Sequence, residues 1–160
     1  MNMAWLLTGS NMGIRENYLS AAKREIALQC GTVQKQSSIY ETAAWGKTDQ
    51  PAFLNQALEI MTPLNARQLI RRLLKIEKQL GRIREEKYGP RLIDIDILMY
   101  GDEIHQYELL KLPHPELPNR RFALLPLAEI AGDVIHPVLQ QSVSSLLADC
   151  PDTLEVTKLS

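Results

Sequence analysis

Cysteine is nearly absent. Cys30 and Cys150 are the only two in 160 residues, and neither sits in a metal-type spacing. Nothing therefore points to zinc, and the disulfide-poor composition fits reduced thiols in a cytoplasmic protein. An excess of either charge is missing too: 18 Lys and Arg stand against 19 Asp and Glu, a net charge of -1. That argues against a global basic field for DNA or RNA. Long hydrophobic runs are lacking. Met1 to Thr8 is apolar but too short to span a bilayer, and it has no positive flank of the signal-peptide kind. Neither Gly-x-x-x-x-Gly-Lys-Ser/Thr nor Gly-x-Gly-x-x-Gly occurs. Any nucleotide site must use another scaffold.

What is present is a hydrophobic content of 45%, enough for a real core. The length fits one domain over residues 1–160. Met3 to Thr8 reads as a buried strand running into Gly9-Ser10-Asn11. Residues 13–29 read as a helix with Tyr18, Leu19, Ala22 and Ile26 on one face. Gly31 suits the turn after it. Thr32 to Glu41 reads as a second strand, and 42–51 as a loop. Phe53 to Met61 is a third strand, with Leu54, Leu58 and Ile60 on one face and Phe53, Asn55, Ala57 and Glu59 on the other. Asn65 and Gln68 predict a capping box, with Leu64 stapled onto Leu69. Ile70, Leu73, Leu74 and Leu80 form the stripe of this second helix, and Gly81 its left-handed stop. A charged loop, 82–91, leads to a fourth strand. The order β-α-β-β-α-β predicts an α+β, ferredoxin-like antiparallel sheet with two helices on one face. The proline-rich remainder from Gly101 predicts extra C-terminal helices and turns on the same core, including a helix from Asn119 to Ala131 despite Pro126.

The most informative segment is Lys87-Tyr-Gly-Pro-Arg-Leu-Ile-Asp-Ile-Asp-Ile-Leu98. On a strand, Asp94 and Asp96 project to one face roughly 6.6 Å apart, while Ile93, Ile95 and Ile97 face the other way. Two like charges so placed call for a cation. Hard divalent ions take oxygen ligands, and Mg²⁺ commonly shares them with substrate phosphates. A solvated strand face is the bland alternative, but acidic groups on so apolar a strand are costly without partners.

Arg82, Arg84, Lys87 and Arg91 dominate the preceding loop. Arginine forks match phosphate oxygens, so an arginine loop beside acidic metal ligands suits a triphosphate. An exposed loop of weak ion pairs is the competing view. Phe53 and Asn55 share a face and could stack and edge-bond a flat heterocycle, or simply serve the core. Phe122 offers a second ring. Glu77 falls on the apolar stripe of its helix and needs a partner, either a loop arginine or a ligand. His114, between Pro113 and Pro115, could donate to a phosphate or be incidental.

Taken in order, these motifs resemble the 6-hydroxymethyl-7,8-dihydropterin pyrophosphokinase family of folate biosynthesis. The matches run through Gly9-Ser10-Asn11, Thr42, Trp45-Gly46, Phe53-Leu54-Asn55, Glu77, Gly81-Arg82-x-Arg84, Lys87 to Leu98, Pro113-His114-Pro115 and Asn119 to Phe122. The resemblance implies transfer of pyrophosphate from ATP to the pterin hydroxymethyl group, with release of AMP. It implies two Mg²⁺ ions on Asp94 and Asp96, with Arg82 and Arg91 neutralising charge as AMP departs. Glu77, Arg84, Tyr88, Ile97, Lys111, His114 and one of Arg120 or Arg121, by position Arg120, would contact ATP, Ile97 and Lys111 through backbone groups at adenine. The pterin would lie between Phe53 and Phe122, its edge read by Thr42, Asn55 and the chain around Ala43 and Trp45. A monomer without nucleic-acid or membrane partners is expected.

Three positions depart from the family pattern. Ala43-Ala44 stand where a proline is common, Leu74 where some members have a glutamine and Leu109 where some have an arginine. Two rival readings compete. A single-strand RNA-binding module shares the layout but would need sheet aromatics, and here acids sit where phosphates would lie. A nucleotidyl transferase of the polymerase-palm kind also places acids on a related sheet, and it would release pyrophosphate instead of AMP.

Overall fold

A computed structural model describes residues 1–42, 51–81 and 92–159. In chain order the elements are β1 (Asn2–Ser10), α1 (Arg15–Gln29), β2 (Thr32–Gln36), β3 (Ile39–Thr42) and β4 (Phe53–Thr62). Then follow α2 (Ala66–Gln79), β5 (Asp94–Tyr100), β6 (His105–Tyr107), β7 (Leu110–Leu112), a 3₁₀ turn (Leu117–Asn119), α3 (Arg121–Ala131), α4 (Val143–Ala148) and β8 (Val156–Leu159). The main sheet runs β5-β1-β4-β3-β8, with β2 also on β4, and all its pairings are antiparallel. The β5-β1-β4 centre with both early helices beneath it is the expected α+β layout.

Period-two alternation sorts the side chains into two layers. Leu6, Leu54, Leu58, Ile60, Ile93, Ile95 and Ile97 join Leu19, Ile26, Leu69, Leu73 and Ile76 of α1 and α2 in one buried cluster. Full burial of each such side chain is worth about 1.5–3 kcal/mol. Trp5, Leu7, Leu98 and Met99 face the other way and pack with Leu124, Leu127 and Leu146 of α3 and α4. α3 and α4 therefore cover the opposite face of the sheet, not the first core as expected, while Leu110 and Leu112 of β7 do join the first cluster.

Local chemistry explains the boundaries. The Asn65 side chain accepts from Gln68 N at 2.9 Å and Gln68 Oε1 from Asn65 N at 2.8 Å, closing the predicted box. Gly81, at φ 91°, is the left-handed stop. Gly31 is different: a Cβ there would meet Met61 O at 2.1 Å, so close backbone approach explains it. The stripe of α2 is Leu69, Leu73, Ile76 and Glu77, whereas Ile70, Leu74 and Leu80 are only partly buried. The single strand expected over 32–41 is two strands. The Ser37 hydroxyl oxygen accepts from Ala57 N at 2.9 Å, replacing a ladder bond with a side-chain bond. The β6-β7 hairpin and β8 were not foreseen. They are short segments whose pairing partners set them.

Candidate active site

Among the described residues β5 lies at the sheet edge, with β1 its one partner strand in this sheet, so one side of its backbone needs another partner. Glu77 supplies it. This carboxylate is 3% exposed, and its Oε2 accepts from Ile95 N at 2.6 Å. The bond is charge-assisted, joining α2 to the amide that lies between Asp94 and Asp96. Both aspartates are half-buried, on the face opposite the sealed Ile93, Ile95 and Ile97, as the alternation predicts. Glu77→Ala is expected to lower unfolding stability by about 2–3 kcal/mol, because a buried amide loses its acceptor. Glu77→Gln, which keeps an acceptor, should lose less. Urea denaturation checks this, and an unchanged Glu77→Ala midpoint would remove the bond from the account.

Beyond Asp96 the strand opens on a cleft of about 240 Å³. Asp96, Ile97, Leu109, Lys111, His114 and Pro115 are among the residues that line it. The β6-β7 hairpin brings Lys111 there, and Leu109, 78% exposed, stands at its lip. His114 is pinned twice. Its N–H donates to Leu98 O at 2.9 Å, and its Nδ1 accepts from Glu116 N at 3.1 Å. With Nδ1 accepting, a neutral ring carries its proton on Nε2. Burial, helped by the Arg120 charge and opposed by Glu116 and Asp94, pushes the His114 pKa down to about 4. At neutral pH the His114 ring is thus uncharged.

A pH dependence follows. The unfolded ring takes up its proton near 6.5, the folded ring only near 4. The contribution to stability is complete above pH 6.5 and is lost as pH falls toward 4, by about 3 kcal/mol at most. Burial lowers His136 as well, with the same sign. His114→Gln should flatten the slope of urea midpoints between pH 6.5 and 4; an unaltered slope would refute the assignment.

The pterin-side candidates share the sheet face that carries Leu7 and Trp5. Phe53 is half-buried, and Asn55, 6% exposed, donates through Nδ2 to Thr8 O at 3.3 Å. The Thr42 hydroxyl donates to Glu155 O at 3.0 Å, so its proton is committed to the segment before β8. Phe122, in the first turn of α3, packs against the same layer, and the Arg120 guanidinium lies 5.6 Å from its ring centre. Arg15 Nη1 donates to Glu41 Oε2 and to Ala52 O, both at 2.9 Å, holding the chain on either side of residues 43–50. Ala43, Trp45, Arg82, Arg84, Tyr88 and Arg91 lie outside the described residues.

Among the described residues no three His, Cys, Asp or Glu side chains gather into a metal cage. A pair of carboxylates on one strand face still fits Mg²⁺, which usually keeps waters and takes one or two carboxylates plus substrate phosphates. The structure therefore unites Asp94, Asp96, Ile97, Lys111 and His114 along one strand and cleft. Phe53, Asn55, Thr42 and Phe122 lie on the same side of the sheet.

Residues 5–132 match the family model for 7,8-dihydro-6-hydroxymethylpterin-pyrophosphokinase (HPPK). The chain belongs to this family. It is 43% identical over 143 residues to an Aquifex aeolicus protein named 2-amino-4-hydroxy-6-hydroxymethyldihydropteridine pyrophosphokinase, covering 88% of each chain. A Bacillus subtilis protein of the same name is 46% identical over 134 residues, covering 83% of this chain and 80% of the relative. Among solved structures, a Plasmodium falciparum HPPK-DHPS variant crystallised with pterin and p-hydroxybenzoate superposes with a TM-score of 0.75 at 17% identity. It covers 92% of this chain, which spans 43% of that longer one; at such identity the likeness is one of fold. Among the described residues, no helix of this HPPK-family chain is long and apolar enough to cross a membrane. Gly9 is part of the family-like Gly9-Ser10-Asn11 motif, with no role that its sequence position reveals. Its lone signal was a glycine at the end of a strand, between Thr8 and Ser10.

Proposed function

We propose that this chain transfers pyrophosphate from ATP to the hydroxymethyl group of 6-hydroxymethyl-7,8-dihydropterin, releasing AMP. The observation that carries this reading is the pair Asp94 and Asp96 on one face of β5, with Asp96 opening into the cleft shared with Lys111 and His114. In the reaction the pterin hydroxyl oxygen attacks the β-phosphorus. The bond from that phosphorus to the α-phosphate oxygen breaks, AMP leaves with the electron pair, and the hydroxyl proton passes to water.

Each residue has a task in that step. Backbone groups of Ile97 and Lys111 hold the adenine at the cleft. His114 Nε2–H and Arg120 donate to phosphate oxygens, and Arg84 and Tyr88 add contacts from the loop. Arg82 and Arg91 meet the charge that grows on AMP. Phe53 and Phe122 enclose the pterin ring, while Asn55, Thr42, Ala43 and Trp45 read its edge. Asp94 and Asp96 would hold two Mg²⁺ ions, which when bound polarise the β-phosphoryl group and neutralise the triphosphate. Glu77 serves this site through the Ile95 amide, by keeping β5 in place.

Product analysis tests the reading. Incubated with ATP, Mg²⁺ and the pterin alcohol, the protein should form AMP and a pterin diphosphate in equal amounts. Release of pyrophosphate with nucleotidyl transfer, or no dependence on the pterin, would refute it.

A further inference from the structure

Gly9 stands in the middle of the pterin side of the sheet. It pairs across β1 with Asn55 of β4 on one side and with Asp94 of β5 on the other. Neighbouring strands lie about 4.8 Å apart, so Asn55 and Asp94 flank a strip of bare backbone about 10 Å wide. A flat ring placed with its edge at Asn55 and its reacting arm toward Asp94 would lie on that strip.

Gly9 also governs how Asn55 points. A Cβ built on Gly9 would fall 2.5 Å from Asn55 Nδ2, while the next nearest atoms, Asn55 Cγ and Leu54 O, are at an ordinary 3.6 Å. The space a side chain would fill is thus taken by the carboxamide nitrogen on its way to Thr8 O, 3.3 Å away. Turning the amide round would set its oxygen against that carbonyl, two acceptors facing each other. The nitrogen is therefore committed to Thr8, and Oδ1 is left to face a ligand. Among the described residues no donor bonds Oδ1, although Asn55 is only 6% exposed. A buried acceptor of this kind calls for a donor.

We propose that Gly9 is a positioning residue for the heterocycle. By lacking a side chain it lets Asn55 lock onto Thr8 O, so that Asn55 offers an acceptor only and selects a ring edge bearing N–H groups. This rests on the pterin reading above. Gly9 has no positive φ, so alanine is tolerated by the backbone and its cost falls on Asn55.

The test compares Gly9→Ala, Asn55→Ala and the double variant, measuring pterin KM, kcat and the affinity for a non-hydrolysable ATP analogue. Gly9→Ala is expected to raise the pterin KM by about tenfold or more, with kcat and nucleotide affinity within about threefold. In the Asn55→Ala background, adding Gly9→Ala should change the pterin KM less than about twofold, since coupled neighbours are not additive. Additive effects, an unchanged pterin KM, or an equal loss of nucleotide affinity would overturn the proposal. Should Gly9→Ala fail to fold, Asn55→Asp decides: two oxygens cannot donate to Thr8 O, so its pterin KM should rise as much, and a normal KM counts against us. Wild-type protein that forms no AMP with the pterin would instead defeat the functional reading itself, which separates the two failures.

Discussion

Asp94→Ala and Asp96→Ala are each expected to lower kcat by at least about 10³-fold while the protein stays folded. The size follows from the task. A carboxylate that holds a divalent ion on a triphosphate contributes several kcal/mol of charge stabilisation and alignment, and each 1.36 kcal/mol is a factor of ten in rate. The survival of the fold follows from the packing. Both side chains are half-buried on the second face of β5, whereas the strand is held by Ile93, Ile95 and Ile97 on the other face and by Glu77 at its edge. Thermal midpoints should therefore shift by no more than about 1 kcal/mol of stability. Substantial activity in either variant, measured as AMP release at saturating Mg²⁺, would remove the metal assignment. A collapse of the fold would show that the carboxylates serve the strand and not the substrate.

Arg82→Ala is expected to slow the chemical step by about 10²–10³-fold and to weaken ATP binding by less than about threefold. Arg82 follows Gly81, whose φ of 91° ends α2. In the proposed reaction the negative charge on the AMP leaving group increases only as the bond to the β-phosphorus breaks. A guanidinium that meets that charge binds the transition state better than bound ATP, so its loss appears in kcat. Single-turnover rates and a nucleotide titration separate the two effects. Comparable losses in rate and affinity would reduce Arg82 to a binding residue.

Much of the site was legible because local periodicity carries it. The alternation of Ile93 to Ile97 with Asp94 and Asp96 needs only a strand, and the Asn65–Gln68 box needs only a helix start. Glu77 was visible as an anomaly, an acid on an apolar stripe. One partner was not visible: the bond to a backbone amide 18 residues away, which no side-chain pattern encodes. The same holds for Thr42, whose hydroxyl reaches Glu155 across 113 positions. Short strands such as His105–Tyr107 and Val156–Leu159 carry too few alternations to announce themselves, and pairing with distant segments defines them. The placement of α3 and α4 on the second face followed from Trp5, Leu7, Leu98 and Met99. Leu98 and Met99 are neighbours on one layer because the register with β1 shifts there, a bulge that strict alternation would have missed. Gly31 shows the opposite trap: its position after a helix suggested a turn residue, and the cause is Met61 O, which lies 2.1 Å from where a Cβ would stand.

A crystal structure with a non-hydrolysable ATP analogue, Mg²⁺ and the pterin alcohol tests the central claim most directly. It should show divalent ions bridging the Asp94 and Asp96 carboxylates to the triphosphate, with adenine in the cleft beside Ile97 and Lys111. Ions and nucleotide bound away from β5, with those two carboxylates touching only protein, would contradict it.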